Sequence, residues 1–525
     1  MVDVNVLILA SKPVVHGQLF VGGLESPLLI PFRGRPLIAH LEEQFQGFEL
    51  IYAISQNADR TRALIKNNYS QSKIIFLPDK ISNGTTGDSL LFCLEKLSYP
   101  ENVLTLHGDN LYEFDEYPGA TSPNTNYAFK IDIQNSNYSY YQAAQLTPKA
   151  ETIHSKTENL VNTGAHFIKA SNIINRAEGV SIDVLMKEFE PEIVCLTNWI
   201  DLGHWDLISR HNLFFHARSF NSMYLSTDKS SITKISREKK ILREFQHLND
   251  IPEEFTFLFP RVKAMPELQG YEIENWPLKS LSEYLVFWNL DMLTWTNILK
   301  KLMNVLNRFS SYPVQVQSPK QDLGSIYTKI LDERLAMYDI QCTQVLNYDY
   351  IYLNKVKLKG FSKFSEVLYQ DLQRIGASMV PTFYHGDLCL SNVLYSPDTE
   401  IIKFIDPKGS LFLESTNCGD IRYDLAKLHH SIFGNFDYFS WSMFSLSQEN
   451  KFFHLEIVKQ NSSKDLANKF CDTMLAFYSP QICHDVEILS AVLFLSMVPL
   501  HSDSSVRQKA LLLQGLSMLN SIYLD

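Results

Sequence analysis

The C-terminal part of the chain is organised around the stretch Tyr384-His-Gly-Asp-Leu-Cys-Leu-Ser-Asn392, followed by Ile405-Asp-Pro-Lys408. Within it, the acid Asp387 precedes the amide Asn392 on a short loop. A second acid, Asp406, directly follows the apolar run Ile-Ile-Lys-Phe-Ile, which predicts a short buried strand. A strand there would fix the Asp406 carboxylate, so we expect the three side chains to act together.

The three residue types suit phosphoryl transfer. This reaction needs a carboxylate to orient the attacking hydroxyl and accept its proton, and oxygen ligands for the Mg²⁺ ions that neutralise phosphate charge. Asp387 fits the first role, whereas Asn392 and Asp406 fit the second. Each residue alone has a simpler interpretation as a turn or a helix cap. Together with His385 they have the spacing of a phosphotransferase catalytic loop.

The same stretch resembles a known family. Gly386 stands where protein kinases carry Arg, and Asp406 precedes Pro407 rather than Phe-Gly. In these features it is similar to the aminoglycoside phosphotransferase and choline kinase family of small-molecule kinases. The resemblance implies that Asp387 is the catalytic base, that Asn392 and Asp406 bind the metal, and that the cofactors are ATP and Mg²⁺.

A later stretch, Gly-Asp-Ile-Arg-Tyr-Asp-Leu-Ala-Lys-Leu at residues 419–428, resembles a subgroup of that family. This subgroup is associated with bacterial capsule and surface-polysaccharide gene clusters. The resemblance implies a structural role for Asp424 and a product used in surface-polysaccharide synthesis.

Length and composition limit the other function classes. A chain of 525 residues is too long for one ordinary hydrophobic core, so two or three domains are expected. Its 45% hydrophobic content is enough to fill the cores of such domains. The net charge of -11, without a long run of Lys or Arg, argues against nucleic-acid partners and favours small-molecule substrates. The 7 cysteines are scattered without disulfide or zinc spacing, which is consistent with a reducing cytoplasm. An oligomer is compatible with the sequence.

Two apolar segments bear on membrane insertion. Residues 1–10 contain an acid and no basic residue, so they predict a buried strand rather than a secretory signal. Residues 486–500 are interrupted by Glu487 and Pro499, so they predict a core helix and no membrane span.

Short apolar runs alternate with helical patterns from Val4 to about His211. This alternation predicts a parallel, doubly wound α/β sheet, in which ligands bind beyond the carboxyl ends of the strands. Asp109 follows the predicted strand at 103–106, where its carboxylate could hold Mg²⁺. Upstream, Asn-Gly-Thr-Thr-Gly at 83–87 precedes a helical run at 88–97, and its glycines permit a ligand to approach a helix N-terminus.

The order of these segments resembles the sugar-phosphate nucleotidyltransferases, a Rossmann-like family that makes nucleotide-activated sugars or alcohols. The resemblance covers about the first two hundred residues. It implies that Asp109 and Asp201 form a metal-binding pair. It also implies that Gly84, Thr85 and Gly87 contact a second nucleotide such as CTP or UTP. The substrate would contact Asn162, Thr163 and Gly164.

The first loop departs from that family. Ser-Lys-Pro-Val-Val-His-Gly replaces a Gly-rich, Arg-containing signature, and Pro27 replaces a catalytic Lys. A triphosphate needs backbone amides around it and a cation at the leaving pyrophosphate. Lys12, Arg33 or Arg35 could supply the charge. Two hypotheses therefore stand for this domain, an active transferase and a non-catalytic domain that binds ligands or regulates.

A hairpin is predicted after His211, with strands at 222–225 and 232–235. Lys234, in its second strand, matches the kinase lysine that contacts the ATP phosphates. The preceding loop lacks the glycines of protein kinases, so Ser219 and Asn221 are predicted to cover the phosphates. The segment Tyr-Glu-Ile-Glu at 271–274 is predicted to be the hinge that holds adenine.

An amphipathic helix is predicted at 237–248, with Ile241, Leu242, Phe245 and Leu248 on its apolar face. Kinases carry a Glu here that orients the lysine. Glu244 matches its position, although Glu238 lies nearer the middle of this apolar face.

The sequence thus predicts an α/β, Rossmann-like nucleotidyltransferase domain at 1–212 and a two-lobed α+β kinase domain at 213–525. The N-lobe is predicted at about 213–275 and the C-lobe at about 276–525. The predicted function is cytoplasmic, ATP-dependent phosphorylation of a small hydroxylated metabolite, coupled to nucleotidyl transfer. The alternatives are a kinase with a non-catalytic N-terminal domain and a non-enzymatic binding module. The sequence does not identify the acceptor.

Overall fold

The computed structural model describes residues 5–14, 23–114, 127–132, 160–173, 179–189, 191–196, 198–202, 221–236, 240–265, 270–312, 314, 323–408, 417–460 and 462–524. These residues divide into two compact units, the first ending at residue 202 and the second beginning at residue 221.

The first unit contains eleven strands among its described residues. They are β1 Asn5–Leu9, β2 Pro31–Phe32, β3 Arg35–Pro36, β4 Leu50–Ser55, β5 Lys73–Leu77, β6 Asn102–His107, β7 Asn110–Glu113, β8 Tyr127–Asp132, β9 Leu160–Lys169, β10 Glu192–Cys195 and β11 Asn198–Asp201. Its helices are α1 Leu37–Gln44, α2 Asp59–Asn68, α3 Asp79–Ser82, α4 Thr86–Lys96 and α5 Ile182–Glu188.

Seven of these strands form one sheet in the order β10-β8-β9-β6-β1-β4-β5. Its predicted parallel part is confirmed, because β1 pairs in parallel with β4 and β6, and β4 pairs in parallel with β5. The expectation of a wholly parallel sheet is wrong, because β9 runs antiparallel to β6 and β8. The polar centre of β9, Asn162-Thr-Gly164, interrupts its apolar pattern and concealed it as a strand.

Helices cover both faces of this sheet. Leu7 of β1 and Ile51 of β4 pack in one buried cluster with Leu90 and Leu94 of α4. Successive strand residues point to opposite faces. Tyr52 therefore faces the other side, where its hydroxyl donates to Glu42 of α1 at 2.9 Å. Asp109 lies just beyond the carboxyl end of β6 in this layered unit.

The second unit contains thirteen strands among its described residues. They are β12 Asn221–Leu225, β13 Ser231–Ser236, β14 Val262–Met265, β15 Gly270–Glu274, β16 Lys279–Ser280, β17 Tyr350–Leu353, β18 Val356–Lys359, β19 Pro381–Phe383, β20 Val393–Ser396, β21 Ile401–Phe404, β22 Cys418–Asp420, β23 Phe444–Glu449 and β24 Phe452–Ile457.

Its helices are α6 Lys240–Asn249, α7 Leu281–Val286, α8 Met292–Ser311, α9 Ile326–Leu335, α10 Ile340–Leu346, α11 Ser365–Ala377, α12 Ile421–Ile432, α13 Phe436–Ser440, α14 Ser463–Phe477, α15 Pro480–Met497 and α16 Ser505–Leu524.

The second unit begins with an antiparallel sheet in the order β12-β13-β15-β14. The predicted hairpin is confirmed as β12 and β13, and a short polar turn joins the two strands. Tyr271 of β15 lies directly opposite Lys234 of β13 in this sheet. The prediction that 271–274 is an adenine hinge is wrong, because these residues form a paired interior strand.

The apolar segment near the C-terminus lies in helix α15 and in the 3₁₀ helix Val498–His501 that follows it. By length and composition, residues Pro480–His501 could cross a bilayer, with a mean hydropathy of 1.6. Within the second unit, however, 72% of an 18-residue stretch of this segment is buried, and the side chains of Ile488 and Phe494 are fully enclosed. The helix thus packs as part of the core of this unit.

Candidate functional site

The loop that carries Asp387 is fastened to the segment that carries Asp406. The Lys408 amide donates to the His385 carbonyl at 3.0 Å, and His385 Nε2 lies 3.0 Å from the Ile405 carbonyl. Burial lowers the pKa of His385 to about 3, so its ring is neutral and Nε2 carries the proton for that bond. Gly386 has φ +81, and a Cβ there would lie 2.6 Å from the Lys408 carbonyl oxygen. Only glycine fits this crossing comfortably.

Asp424 of α12 holds the same loop from the other side. The amides of His385 and Gly386 donate to its two carboxylate oxygens at 2.6 and 2.9 Å. Burial raises the pKa of Asp424 to about 7, while these amide bonds oppose the rise. These two hydrogen bonds agree with the structural role that the sequence resemblance implies for Asp424.

We expect Asp424→Asn to impair the loop rather than remove a reacting group. An amide side chain offers one acceptor oxygen, so one of the two loop amides loses its partner. An unsatisfied buried donor costs about 1–3 kcal/mol. The melting temperature should fall and turnover should drop, with little change in nucleotide affinity. Wild-type turnover together with an unchanged melting temperature would contradict this role.

Two lysines bracket the Asp387 carboxylate. Lys408 forms an ion pair with Oδ2, and Lys427 of α12 approaches Oδ1 to 2.9 Å. Burial opposes ionisation of Asp387, but the two lysines outweigh it and hold the pKa well below its ordinary value. Asp387 therefore stays ionised across the physiological pH range.

Sequence reasoning missed both lysines. Lys408 lies two residues beyond Asp406, and Lys427 lies one helical turn beyond Asp424. Spacing along α12 was the available signal, because residues three apart share one helix face. Asp424 on that face reaches the loop, so Lys427 reaches it as well.

Asn392 lies on the loop that carries Asp387, and Asp406 lies on the segment that is hydrogen-bonded to this loop. The Asn392 side-chain nitrogen donates to the Asp387 backbone carbonyl at 2.8 Å, which fixes the orientation of the Asn392 side-chain oxygen. The Ile405 amide donates to the Asn392 backbone carbonyl at 3.0 Å, so Asn392 is hydrogen-bonded to the residue that precedes Asp406. Asp406 has φ +51, a strained conformation for a non-glycine residue, and its side chain is 43% exposed. Strain of this kind concentrates at functional sites.

Lys234 joins this region to the antiparallel sheet. Its ammonium group lies 2.7 Å from Glu244 of α6 and 3.3 Å from Asp406. The Tyr271 hydroxyl donates to Glu244 at 3.1 Å. Burial opposes the Lys234 charge, but Asp406 and the other neighbours outweigh it and raise its pKa well above its ordinary value.

The buried face of α6 differs from the predicted one. Leu242 is 60% exposed, whereas Ile241, Glu244, His247 and Leu248 are buried. Glu244 thus lies within the buried face, because its ion pair with Lys234 compensates for burial. Placing Leu242 on that face was wrong. Ser219 and Glu238 lie outside the described residues, as does the side chain of Asn221.

In the first unit, Asp109 and Asp201 come together at the end of β6. Strands β7 and β11 pair so that Asp201 lies opposite Asn110, and the Leu202 amide donates to the Asp109 carbonyl at 2.9 Å. The Asn110 side-chain amide donates to Asp109 Oδ1 at 2.9 Å. Burial raises the pKa of the nearby Tyr112 well above its usual range, and the two acids add to this rise.

The loop at 83–87 is used as a helix cap. The Thr85 side chain caps α4, and the Asp88 carboxylate accepts from the Thr85 amide at 2.8 Å. The Gly179 amide also donates to Asp88 at 2.7 Å. The Asp88 carboxylate therefore occupies the N-terminus of α4 near Gly84 and Gly87, where the sequence predicts a nucleotide contact.

The predicted substrate residues Asn162, Thr163 and Gly164 lie within strand β9. Thr163 is buried, and its carbonyl accepts from the Tyr112 hydroxyl at 3.2 Å. Gly164 has φ +75, and a Cβ there would lie 2.5 Å from His107 Nδ1. These two residues thus lie beside the end of β6. The side chain of Asn162 lies outside the described residues.

The first loop provides no cation at Pro27, which is buried in a 3₁₀ turn capped by Ser26. Of the three basic residues that could supply the charge, Arg35 pairs with Glu43 at 2.6 Å and Arg33 lies 5.1 Å over the ring of Phe32. Lys12 is exposed. Among the described residues, no group of three or more His, Cys, Asp or Glu side chains could hold a metal ion.

Comparison with known proteins gives structural likenesses only. No family model and no curated protein matches the chain. HddC from Yersinia pseudotuberculosis, complexed with GMP-PN, is 19% identical; the match covers 40% of this chain and 99% of HddC, with a TM-score of 0.31.

Other matches are kinases. A variant of aminoglycoside 2'-phosphotransferase-IIIa in complex with GDP is 10% identical over 58% of this chain and 89% of its own, with a TM-score of 0.35. A choline/ethanolamine kinase family protein from Mesorhizobium loti is 12% identical over 58% of this chain and 91% of its own, with a TM-score of 0.34. The similar structures thus include both groups that the sequence resembles.

Proposed function

We propose that the second unit is a small-molecule kinase that transfers the γ-phosphoryl group of ATP to a hydroxyl group of a sugar, polyol or amino alcohol. The observation that carries this proposal is the ion-pair chain from Glu244 through Lys234 to Asp406. These ion pairs link Lys234 of β13 to Asp406, whose segment is hydrogen-bonded to the loop that carries Asp387. An ionised carboxylate, an oriented amide and an anchored lysine are the groups that this transfer requires.

The donor atoms suit Mg²⁺. This ion keeps several waters and is typically held by one or two carboxylates together with substrate phosphates. The Asp406 carboxylate and the oriented oxygen of Asn392 supply that small set. Bound there with ATP, Mg²⁺ would neutralise charge on the phosphate oxygens. Lys234, whose position Glu244 fixes, would contact the phosphates that ATP brings.

In the transfer step, the acceptor oxygen bonds to the γ-phosphorus as the bond from phosphorus to the bridging oxygen breaks. The electron pair of that bond leaves with ADP. Asp387 accepts a hydrogen bond from the acceptor hydroxyl, orients it and receives its proton. A carboxylate with a depressed pKa is a weak base, so orientation is its main contribution. A loose transition state tolerates this, because it needs little proton abstraction before the phosphoryl group moves.

ADP release tests this proposal. With MgATP present, one member of a panel of sugars, polyols and amino alcohols should raise ADP formation well above the rate in water. Asp472→Asn is the matched control, because Asp472 is exposed on helix α14 of the same unit. It should behave as wild type. No stimulation by any member of the panel would count against the proposed acceptor class.

For the first unit we propose nucleotidyl transfer from a triphosphate such as CTP or UTP to the phosphorylated product, in the cytoplasm, as a step toward a surface polysaccharide. The adjacent acids Asp109 and Asp201 favour activity. The alternative, a non-catalytic ligand-binding or regulatory domain, is favoured by buried Pro27 and by Asp88, which closes the N-terminus of α4.

Removing the acids distinguishes the two hypotheses. If the unit is a transferase, Asp109→Ala or Asp201→Ala should abolish pyrophosphate release and leave ATP-dependent phosphorylation intact, since the two sites lie in separate compact units. Pyrophosphate release that survives both substitutions would refute the metal-site role. If no triphosphate yields pyrophosphate but a ligand raises the melting temperature, the binding hypothesis holds.

A further inference from the structure

The charges around Asp387 exceed what its carboxylate needs. One lysine, Lys427, already lies 2.9 Å from Oδ1 and is only 5% exposed. Its ammonium group also lies 5.8 Å from the Tyr423 ring centroid. Helix α12 thus fixes this lysine as a buried counterion. The second lysine, Lys408, gives the Asp387 carboxylate a second cationic partner.

The two lysines differ in exposure and attachment. The Lys408 side chain is 20% exposed, four times the fraction of Lys427. Lys408 follows Asp406 by two residues, and its own amide is bonded to the loop that carries Asp387. Its backbone is therefore fixed between the predicted metal ligand and the predicted base, while its long side chain retains rotatable bonds.

Phosphoryl transfer moves negative charge from the ATP side to the acceptor side of the site. Lys234 and the ligands Asn392 and Asp406 serve the ATP side. Among the described residues, the cations paired with Asp387 are Lys408 and Lys427. Of these two, the partly exposed one can turn toward an incoming phosphoryl group without leaving Asp387 unpaired.

We propose that Lys408 is a catalytic residue that leaves Asp387 and contacts the phosphoryl group during transfer, while Lys427 remains as the fixed counterion that positions Asp387. This inference rests on the proposed kinase function. The bond changes are those given above, and Lys408 contributes positive charge to the phosphoryl oxygens without gaining or losing a proton.

The test compares Lys408→Met, Lys408→Arg and wild type in the full chain. The probes are MgADP alone and MgADP with aluminium fluoride, which mimics a phosphoryl group in flight. In wild type, aluminium fluoride should add to the thermal stabilisation given by MgADP. Lys408→Met should keep the MgADP shift but lose the added shift. Its turnover should fall about 10²-fold, the typical loss for one electrostatic contact to a transition state. Lys408→Arg should restore part of both.

Several outcomes would overturn the inference. A Lys408→Met variant with wild-type turnover and the full aluminium fluoride shift would show that Lys408 is only a counterion. Equal loss of the MgADP shift would place Lys408 on the ATP side. If wild type gives no shift with MgATP or MgADP, the kinase proposal itself fails. Ligand-free melting temperatures check folding, and if Lys408→Met is unfolded, Lys408→Gln replaces it in the same comparison.

Discussion

Asp387→Asn should lower kinase turnover by about 10²–10⁴-fold, the range expected for losing a positioned proton acceptor. MgATP affinity should stay within about threefold, because Lys234, Asn392 and Asp406 remain. The amide cannot carry the negative charge that orients the hydroxyl and receives its proton. The loss should therefore appear in kcat rather than in KM for ATP. Single-turnover rates and equilibrium nucleotide binding separate the two quantities.

Stability must be measured alongside this variant. A carboxylate whose pKa is lowered on folding stabilises the protein above its unfolded pKa of about 3.9, and loses that effect as pH falls through the folded value. Asp387 is such a group, so wild-type turnover should show no acid limb from Asp387 between about pH 5 and 8. Wild-type phosphorylation by Asp387→Asn, with a normal melting temperature, would rule out Asp387 as the base.

Lys234→Met should lower kcat/KM for ATP by about 10²-fold, because the phosphates lose an anchored cation. The variant also removes the lysine that forms an ion pair with the buried Glu244. Removing one member of a buried ion pair costs about 3–5 kcal/mol, so the melting temperature should fall. Adding Glu244→Gln should recover stability but not activity.

Lys263→Met provides the matched control for this variant. Lys263 lies on β14 of the same antiparallel sheet, and its side chain is exposed. It should retain wild-type kinetics and stability. If Lys234→Met and Lys263→Met behave alike, Lys234 has no special role in ATP use.

Raising the Mg²⁺ concentration should restore the activity of Asn392→Ala more than that of Lys234→Met, since Asn392 is a predicted metal ligand.

The spacing of residues along the chain was enough to find the segments that form the candidate site. Asp387, Asn392 and Asp406 lie close in sequence, and apolar runs next to them predict the strands that fix them. The hairpin carrying Lys234 was also predicted, because its strands and turn are local features. Such local patterns depend on neighbouring residues, so a single sequence reveals them.

Features that depend on distant contacts were missed. The lysines around Asp387 come from segments on either side of it in space, and no local pattern shows that both reach one carboxylate. Helix α6 illustrates the same limit, since an apolar residue, Leu242, was assigned to a face that Glu244 occupies through its ion pair. Likewise, the antiparallel direction of β9 is set by pairing with β6 and β8, and its polar centre hides it.

We propose that the second unit phosphorylates a hydroxyl group with ATP at Asp387. Mass spectrometry tests it most directly, with the full chain incubated with MgATP and a panel of sugars, polyols and amino alcohols. The expected result is a product heavier than one acceptor by a single phosphoryl group, formed by wild type and by Asp472→Asn but not by Asp387→Asn. A phosphorylated product formed equally by Asp387→Asn, or no product from any acceptor in the panel, would contradict the claim.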